Sequence, residues 1–127
     1  MDAIDAVTRD LLDNTEFLSI VTQGPDGPHL AGNWGDYLRR LGVSGNRIIL
    51  PAGHYHETEK NLRSDSRIQL LIASRAVKGS HGQGQGCVLS GIGSVDTEGE
   101  AANQAKAQFP WARGALVIDV QSVNMQL

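Results

Sequence analysis

The chain has 127 residues, of which 40% are hydrophobic and 15 are glycine, so it suits one globular domain and is too apolar to be disordered. Fourteen acidic against 11 basic residues leave a net charge of −3, which argues against a nucleic-acid partner. No run approaches the ~18 apolar residues of a membrane span, the N-terminus lacks a signal-peptide pattern, and one cysteine provides neither a disulfide framework nor a cysteine-based zinc site. We expect a soluble, cytoplasmic domain over residues 1–127 that does not bind membranes.

The first predicted elements are a helix and a hairpin. Apolar side chains in residues 2–14 recur at the spacing of one helical face, with Asp2 as a candidate N-cap. A short β-rich run at residues 17–22 leads into the turn-forming segment 24–28, after which the chain becomes extended again. The pattern therefore predicts a β-hairpin over residues 17–34.

The rest of the chain combines short strands with two helices. The signals are strand-length apolar runs, one segment of helix formers without Gly or Pro, and a later segment rich in Ala and Glu. They predict strands at residues 47–51, 68–73, 87–95 and 115–120, and helices at residues 55–64 and 98–108. The glycine-rich segment 79–86 does not match a phosphate-loop motif and is interpreted as a flexible hairpin connection. Consecutive short strands without βαβ alternation predict an antiparallel meander that closes into a small barrel.

One segment joins a strand end to a helix start and is a candidate anion site. In Pro51–Thr58, the free backbone N–H groups of the helix start attract an anion and Thr58 adds a hydroxyl, although helix capping explains the same residues. His54 and His56 are separated by one residue and project to opposite sides of an extended chain. A solvated helix start is therefore favoured over a metal site there.

Two tryptophans are unusual in a chain with only six aromatic residues. Trp34 lies between glycines in the segment Gly32–Gly35, where it either presents a flat face to a planar ligand or fills the core. Trp111 has the same two interpretations. Cys87 is expected to be a small buried apolar residue rather than a reactive thiol.

Four separated segments of the chain resemble one protein family. The runs TQGPDGPHLAGNWGDYL, NRIILPAGHYHETEKNL, ASRAVKGSHGQGQG and WARGALVIDVQSVNMQL are similar, in order and spacing, to FMN-binding split-barrel proteins of the pyridoxamine 5′-phosphate oxidase-like superfamily. The resemblance covers about residues 14–127. It implies a mainly β fold, a six-stranded antiparallel split β-barrel with short flanking helices. It also implies a homodimer with one FMN per subunit near the interface.

The resemblance further implies which residues hold the flavin. They are Gly32, Asn33, Trp34, Pro51, Ala52, Gly53, His56, Glu57, Thr58, Trp111 and Leu127. Asn33 replaces a family threonine and offers donors and an acceptor to the flavin's polar edge, while Gly35 replaces an asparagine. Glu57 stands at the position of a phosphate-contacting lysine. The compensating cation is left open among His56, Lys60, Arg63 and Arg75.

The predicted function is a redox flavoprotein that performs electron transfer or flavin-dependent reduction with an unidentified redox partner. No residue stands out as a general acid or base, so enzymatic activity is left open. Pyridoxamine phosphate oxidation is not expected, because no second cationic set is present for a second phosphate. One alternative, which Glu57 favours, is a non-catalytic flavin- or nucleotide-binding dimeric module. Another is a binder of a different planar cofactor, a deazaflavin or haem.

Overall fold

The computed structural model describes residues 2–127, and within that range the chain forms four helices and seven strands. The helices are α1 (Ala6–Asn14), α2 (Gly35–Leu41), α3 (His56–Ser64) and α4 (Glu100–Gln108). The strands are β1 (Phe17–Gly24), β2 (Gly27–Trp34), β3 (Val43–Ser44), β4 (Arg47–Ala52), β5 (Arg67–Lys78), β6 (Gln83–Asp96) and β7 (Gly114–Met125). All pairs are antiparallel, in the order β2-β1-β5-β6-β7-β4-β3.

This architecture confirms the predicted mainly β antiparallel fold with flanking helices. The strand count is seven and not six, because two residues next to β4 form the short strand β3. The predicted hairpin is present as β1 and β2, and the helices predicted at 55–64 and 98–108 correspond to α3 and α4. No helix in residues 2–127 has the length and apolar character needed to cross a bilayer.

The first helix begins later than predicted. It starts at Ala6, and its N-cap is Asp5 rather than Asp2. The Asp5 carboxylate accepts hydrogen bonds from the Thr8 backbone N–H at 2.9 Å and from the Thr8 hydroxyl at 2.7 Å. These bonds to the charged form lower the pKa of Asp5. The spacing favoured Asp2 because the apolar stripe begins at Ile4, one residue before Asp5.

The prediction of a flexible connection at residues 79–86 was wrong in extent. Residues Gln83–Gly86 belong to β6, where Gly86 pairs with Ala73 and Gln85 with Ser74 of β5. Only the four residues 79–82 reverse the chain, and the backbone N–H of Gly79 bonds to the Gly82 carbonyl. The ladder to β5 therefore orders glycines that would be flexible in isolation.

The core is aliphatic, as the scarcity of aromatic residues predicts. Alternate residues of the strands point inward, among them Ile20 of β1, Leu70 of β5 and Leu116 of β7, which are fully buried. Leu11 and Leu12 of α1 close one side of this core. A smaller cluster lies between α2, α4 and β7, where Leu41 packs near Phe109 and Val117.

Strand pairing does not close the barrel, contrary to the prediction that closure would remove the edges. The sheet ends at β2 and β3, and β2 is not paired with β4. Side chains bridge this gap, since the Asn33 amide donates to the Pro51 carbonyl at 3.2 Å and the Tyr55 hydroxyl to the Gly32 carbonyl at 2.8 Å. The barrel is thus split between β2 and β4, and the split positions the candidate site.

Candidate functional site

A cavity of about 410 Å³ lies at the split, between the ends of β2 and β4. Six of the eleven predicted site residues line it, and four further residues were not predicted. The predicted members are Gly32, Asn33, Trp34, Pro51, Gly53 and Trp111, and the additional members are Phe17, Tyr37, His54 and Tyr55. Its volume falls in the range of small-molecule and cofactor pockets.

The aromatic residues of the chain are concentrated at this cavity. Five of the six line it, and the sixth, Phe109, packs against Tyr37 and Trp111 with ring centroids 4.8 and 5.4 Å apart. Trp34 and Trp111 keep 50% and 53% of their surface exposed. Large exposed aromatic side chains clustered around one concave surface are typical of a ligand site rather than a core. The flat-face interpretation of both tryptophans is therefore favoured over the core interpretation.

Two glycines allow rings to lie directly against the backbone. A Cβ at Gly32 would collide with the Phe17 ring, and one at Gly53 would lie 3.1 Å from two atoms of the Trp111 ring. The Phe17 ring in turn packs edge-on against Trp34, with centroids 5.5 Å apart. Gly32 in GNWG is thus required for the close approach of Phe17, and Gly53 in PAGH makes room for Trp111.

A polar network forms the wall of the cavity next to the split. The Asn33 amide donates to the Tyr55 hydroxyl at 2.8 Å, and the Tyr55 hydroxyl donates to the Gly32 carbonyl. Burial raises the pKa of Tyr55 to about 12, so the phenol keeps its proton at neutral pH. Tyr55 also has φ 63° and ψ 27°, a left-handed conformation that is unusual for a residue with a Cβ. The Tyr55 side-chain bonds help to hold this strained turn in place.

Arg113 holds the loop that carries Tyr55. Its Nε donates to the His54 carbonyl at 2.9 Å, and its backbone N–H donates to the Ala52 carbonyl at 2.9 Å. Its Nη2 forms an ion pair with Glu59 of α3 at 2.9 Å, and Glu59 also pairs with Arg63. Sequence analysis missed this role because the partners lie more than 50 residues away along the chain.

The remaining predicted residues near α3 do not line the cavity. Ala52 is buried, whereas His56 and Glu57 are exposed on the first turn of the helix. Thr58 is fully buried, and within residues 2–127 its Oγ1 has no hydrogen-bond partner. The first turn also has backbone N–H groups without partners inside the helix. A buried hydroxyl without a partner at a helix start suits an anionic, oxygen-rich group.

Leu127 lies at a different cavity, of about 570 Å³. Its backbone N–H donates to Gln85 Oε1 at 2.8 Å, and its carbonyl accepts from the Ser80 N–H at 3.1 Å. Arg75 lines this second cavity too, together with His81. The structure of the single chain therefore does not bring Leu127 or Arg75 to the cavity at the split.

The His54–His56 pair and Cys87, the two other features noted in the sequence, show no reactive chemistry. Among the described residues, no group of three or more His, Cys, Asp and Glu side chains converges as a metal site around His54 and His56 or elsewhere. Cys87 is fully buried, and burial raises the pKa of its thiol to about 11. It is therefore protonated and inert at neutral pH.

Comparison with known proteins places the chain in a family. No family model matches the sequence. The FMN-binding protein of Nitratidesulfovibrio vulgaris (strain Miyazaki F) is 42% identical over 118 residues, which cover 93% of this chain and 94% of that protein. The chain belongs to the family of this FMN-binding protein.

Solved structures agree on the fold. HupZ from Group A Streptococcus superposes with a TM-score of 0.76 at 16% identity, covering 97% of this chain and 99% of that chain. A proposed pyridoxamine 5′-phosphate oxidase from Lactobacillus delbrueckii superposes with a TM-score of 0.68 at 14% identity, covering 98% of this chain and 99% of that chain. The fold of this FMN-binding protein family member is thus the split barrel of the pyridoxamine 5′-phosphate oxidase-like proteins.

Proposed function

We propose that this protein is a homodimeric redox flavoprotein that binds FMN in the cavity between β2 and β4. The observation that carries the proposal is the cavity of about 410 Å³. Its lining includes five aromatic side chains and six of the residues that the family resemblance assigns to the flavin, with Trp34 and Trp111 belonging to both sets. The name of the 42%-identical relative supports FMN as the ligand.

The ring system would bind in the aromatic part of the cavity. Trp34 and Trp111 provide exposed flat faces, and Gly32 and Gly53 let the neighbouring rings approach the backbone. These side chains would orient the ring and exclude water from it. When bound, the flavin supplies the electron- or hydride-transfer chemistry, and the protein environment tunes its potential.

The phosphate would bind at the start of α3, near Thr58. Thr58 is fully buried, so a phosphate would reach its hydroxyl only after a local rearrangement at the start of α3. Of the four candidate cations, Arg63 is paired with Glu59 and Arg75 lies at the second cavity. His56 and Lys60 form no ion pair within residues 2–127, and we assign the compensating charge to them.

Electron transfer fits the cavity better than acid–base catalysis. The Tyr55 phenol is held protonated and is hydrogen-bonded within the protein. His54 is the one imidazole among the lining residues, and it is exposed. A cavity with aromatic walls and no preorganised proton donor or base is suited to passing electrons through a bound flavin.

The outer face of the sheet supports the homodimer. Leu30, Val21, Leu71 and Val88 lie on neighbouring strands of this face, and Leu30 and Leu71 are 70% and 47% exposed. By strand alternation, Phe17 of the cavity at the split lies on the same face as Val21 along β1, and Ala73 of the second cavity lies on the same face as Leu71 along β5. A two-fold pairing of copies through this face would cover the patch and bring Leu127 of each copy towards the other's flavin cavity.

The dimer is tested by the molar mass in solution. We expect a mass of two chains by light scattering, which Leu71→Asp reduces towards one chain while weakening FMN binding. Val7→Asp, at an exposed apolar residue of α1, is the matched control and leaves the mass unchanged. A wild-type protein with the mass of one chain at micromolar concentration would contradict the dimer.

The redox function is tested on protein purified without added cofactor. We expect visible flavin absorption bands, release of about one FMN per chain on heating, and reversible bleaching of the bands by a chemical reductant. Re-oxidation by an added electron acceptor would support electron transfer.

A second candidate function is a non-catalytic FMN-binding module, which the carboxylate of Glu57 at the proposed phosphate end favours. It predicts bound flavin that is not reduced or re-oxidised faster than free FMN by nicotinamide nucleotides or electron acceptors. Faster turnover of the bound flavin contradicts this second candidate.

A further inference from the structure

The hydrogen bonds of Asn33 and Tyr55 use every donor that the two side chains possess. The Asn33 Nδ2 hydrogens bond to the Pro51 carbonyl at 3.2 Å and to Tyr55 Oη at 2.8 Å. The Tyr55 hydroxyl hydrogen bonds to the Gly32 carbonyl at 2.8 Å. Both Asn33 donors, which the sequence analysis expected to face the flavin, are used within the protein in this structure.

The orientation of the Asn33 amide follows from its neighbours. Asn33 Oδ1 accepts from the Trp34 backbone N–H at 2.8 Å. A flipped amide would place its oxygen against the Pro51 carbonyl oxygen and its NH₂ group against the Trp34 N–H, and both contacts are repulsive. One arrangement thus satisfies the network, and the assignment of donors and acceptors is fixed by chemistry.

What the two side chains retain is acceptor capacity. Asn33 Oδ1 has a second lone pair beyond its bond to Trp34, and Tyr55 Oη has one beyond its bond from Asn33. Both residues line the cavity at the split. With its pKa raised to about 12, the Tyr55 phenol does not ionise at neutral pH, so its bond to Gly32 persists.

We propose that the Asn33–Tyr55 pair determines ligand specificity by selecting a planar ligand that presents an N–H donor at its edge. This inference rests on the proposed function. For a flavin, the matching group is the imide N3–H, a single donor that one of the two oxygens would accept, so the pair would bind the pyrimidine edge of the ring. A ligand with a methyl group or only acceptors at that position leaves the lone pairs unmatched.

Tyr55 fixes the acceptor character of the pair. If the hydroxyl is removed, one Asn33 Nδ2 hydrogen loses its acceptor and becomes available to a ligand. The Tyr55→Phe variant therefore has a cavity wall that donates as well as accepts. Its preference for an N–H ligand falls, whereas a purely steric preference would be unaffected.

The test is an equilibrium titration of the flavin-free protein with FMN and with N3-methylated FMN, followed by fluorescence. The wild-type protein is expected to bind FMN at least about tenfold more tightly than the methylated analogue. Tyr55→Phe is expected to reduce this ratio severalfold. Tyr37→Phe, the same change at a tyrosine of the cavity outside the Asn33–Tyr55 network, is expected to retain the ratio.

The outcomes separate the two proposals. FMN binding with an equal affinity for the methylated analogue would overturn the specificity role and leave the flavin site standing. So would a ratio that is the same in the wild-type protein and in Tyr55→Phe. Failure to bind either flavin would overturn the proposed function and this inference with it. The wild-type ratio alone decides the question if Tyr55→Phe does not fold.

Discussion

The two ends of the proposed flavin site differ in how completely their hydrogen-bonding groups are satisfied before a ligand binds. The cavity at the split has aromatic walls and a hydrogen-bond network that is already satisfied by the protein. The start of α3 has a buried hydroxyl without a partner and an exposed carboxylate at Glu57. In the proposed site, the ring end is thus largely preorganised, whereas the phosphate end has a hydroxyl that would gain a partner when an anion binds.

The largest expected effect on FMN affinity comes from a substitution at the ring end, in the cavity at the split. Trp34→Ala removes an exposed aromatic wall and is expected to weaken FMN binding by about 2–3 kcal/mol, as for a central aromatic contact in an interface. The free energy of unfolding of the flavin-free protein should change little, because half of the side chain is exposed. Flavin titration and denaturant unfolding measure the two quantities. Equal FMN affinities in the variant and the wild-type protein would remove Trp34 from the site.

The Thr58→Ala variant tests the phosphate end, because it removes the proposed hydrogen bond from the Thr58 hydroxyl to the phosphate. Loss of a hydrogen bond to a charged group is expected to weaken FMN binding by about 1.5–3 kcal/mol. Riboflavin, which has the same ring and no phosphate, serves as the control ligand and should bind the variant as well as it binds the wild-type protein. Equal weakening of both ligands would place Thr58 away from the phosphate. An unchanged FMN dissociation constant would exclude it from the site.

The buried Tyr55 of the Asn33–Tyr55 network makes the free energy of unfolding depend on pH in the alkaline range. The folded-state pKa of Tyr55 is raised to about 12 from an ordinary value near 10, so folding favours the neutral phenol. This contribution is fully present below pH 10 and is lost as the pH rises through 12. We expect Tyr55 to account for up to about 2 kcal/mol of the loss in unfolding free energy over that range. Tyr55→Phe should show a correspondingly shallower alkaline loss in denaturant titrations, whereas an identical loss would contradict the assignment.

The smallest effect is expected from the charge at position 57. Glu57→Lys places a cation at the start of α3 and should tighten FMN binding by up to about 1 kcal/mol at low salt, with the gain screened at high salt. Asp10→Lys, the same change of charge sign on exposed α1, is the control for net charge. A gain that is equally large for riboflavin would show that Glu57 does not act on the phosphate.

Sequence reasoning identified the elements whose signal is local. The β1–β2 hairpin was predicted by its apolar run and turn residues, and α3 and α4 were predicted by their helix-forming composition. The two tryptophans were noticed because aromatic residues are scarce. Helix α2 was not predicted, because its first residue, Gly35, is typical of a turn. Its glycine is required by close packing, since a Cβ there would collide with the Thr15 carbonyl oxygen.

The missed parts of the site depend on tertiary contacts. Tyr55 adopts its left-handed conformation in a loop whose His54 carbonyl is held by Arg113, and neither feature leaves a pattern in the local sequence. Phe17 and Tyr37 reach the cavity because β1 pairs with β2 and α2 packs near Phe109. The family resemblance supplied the ligand, while the acceptor-only character of the Asn33–Tyr55 pair needed the atomic arrangement.

The most direct measurement of the central claim is a structure of the protein determined with FMN. The account predicts one flavin per chain with its ring between Trp34 and Trp111 in the cavity at the split, and its phosphate near Thr58. A ring located in the cavity that Leu127 and Arg75 line in the same subunit, with the cavity at the split empty, would contradict it.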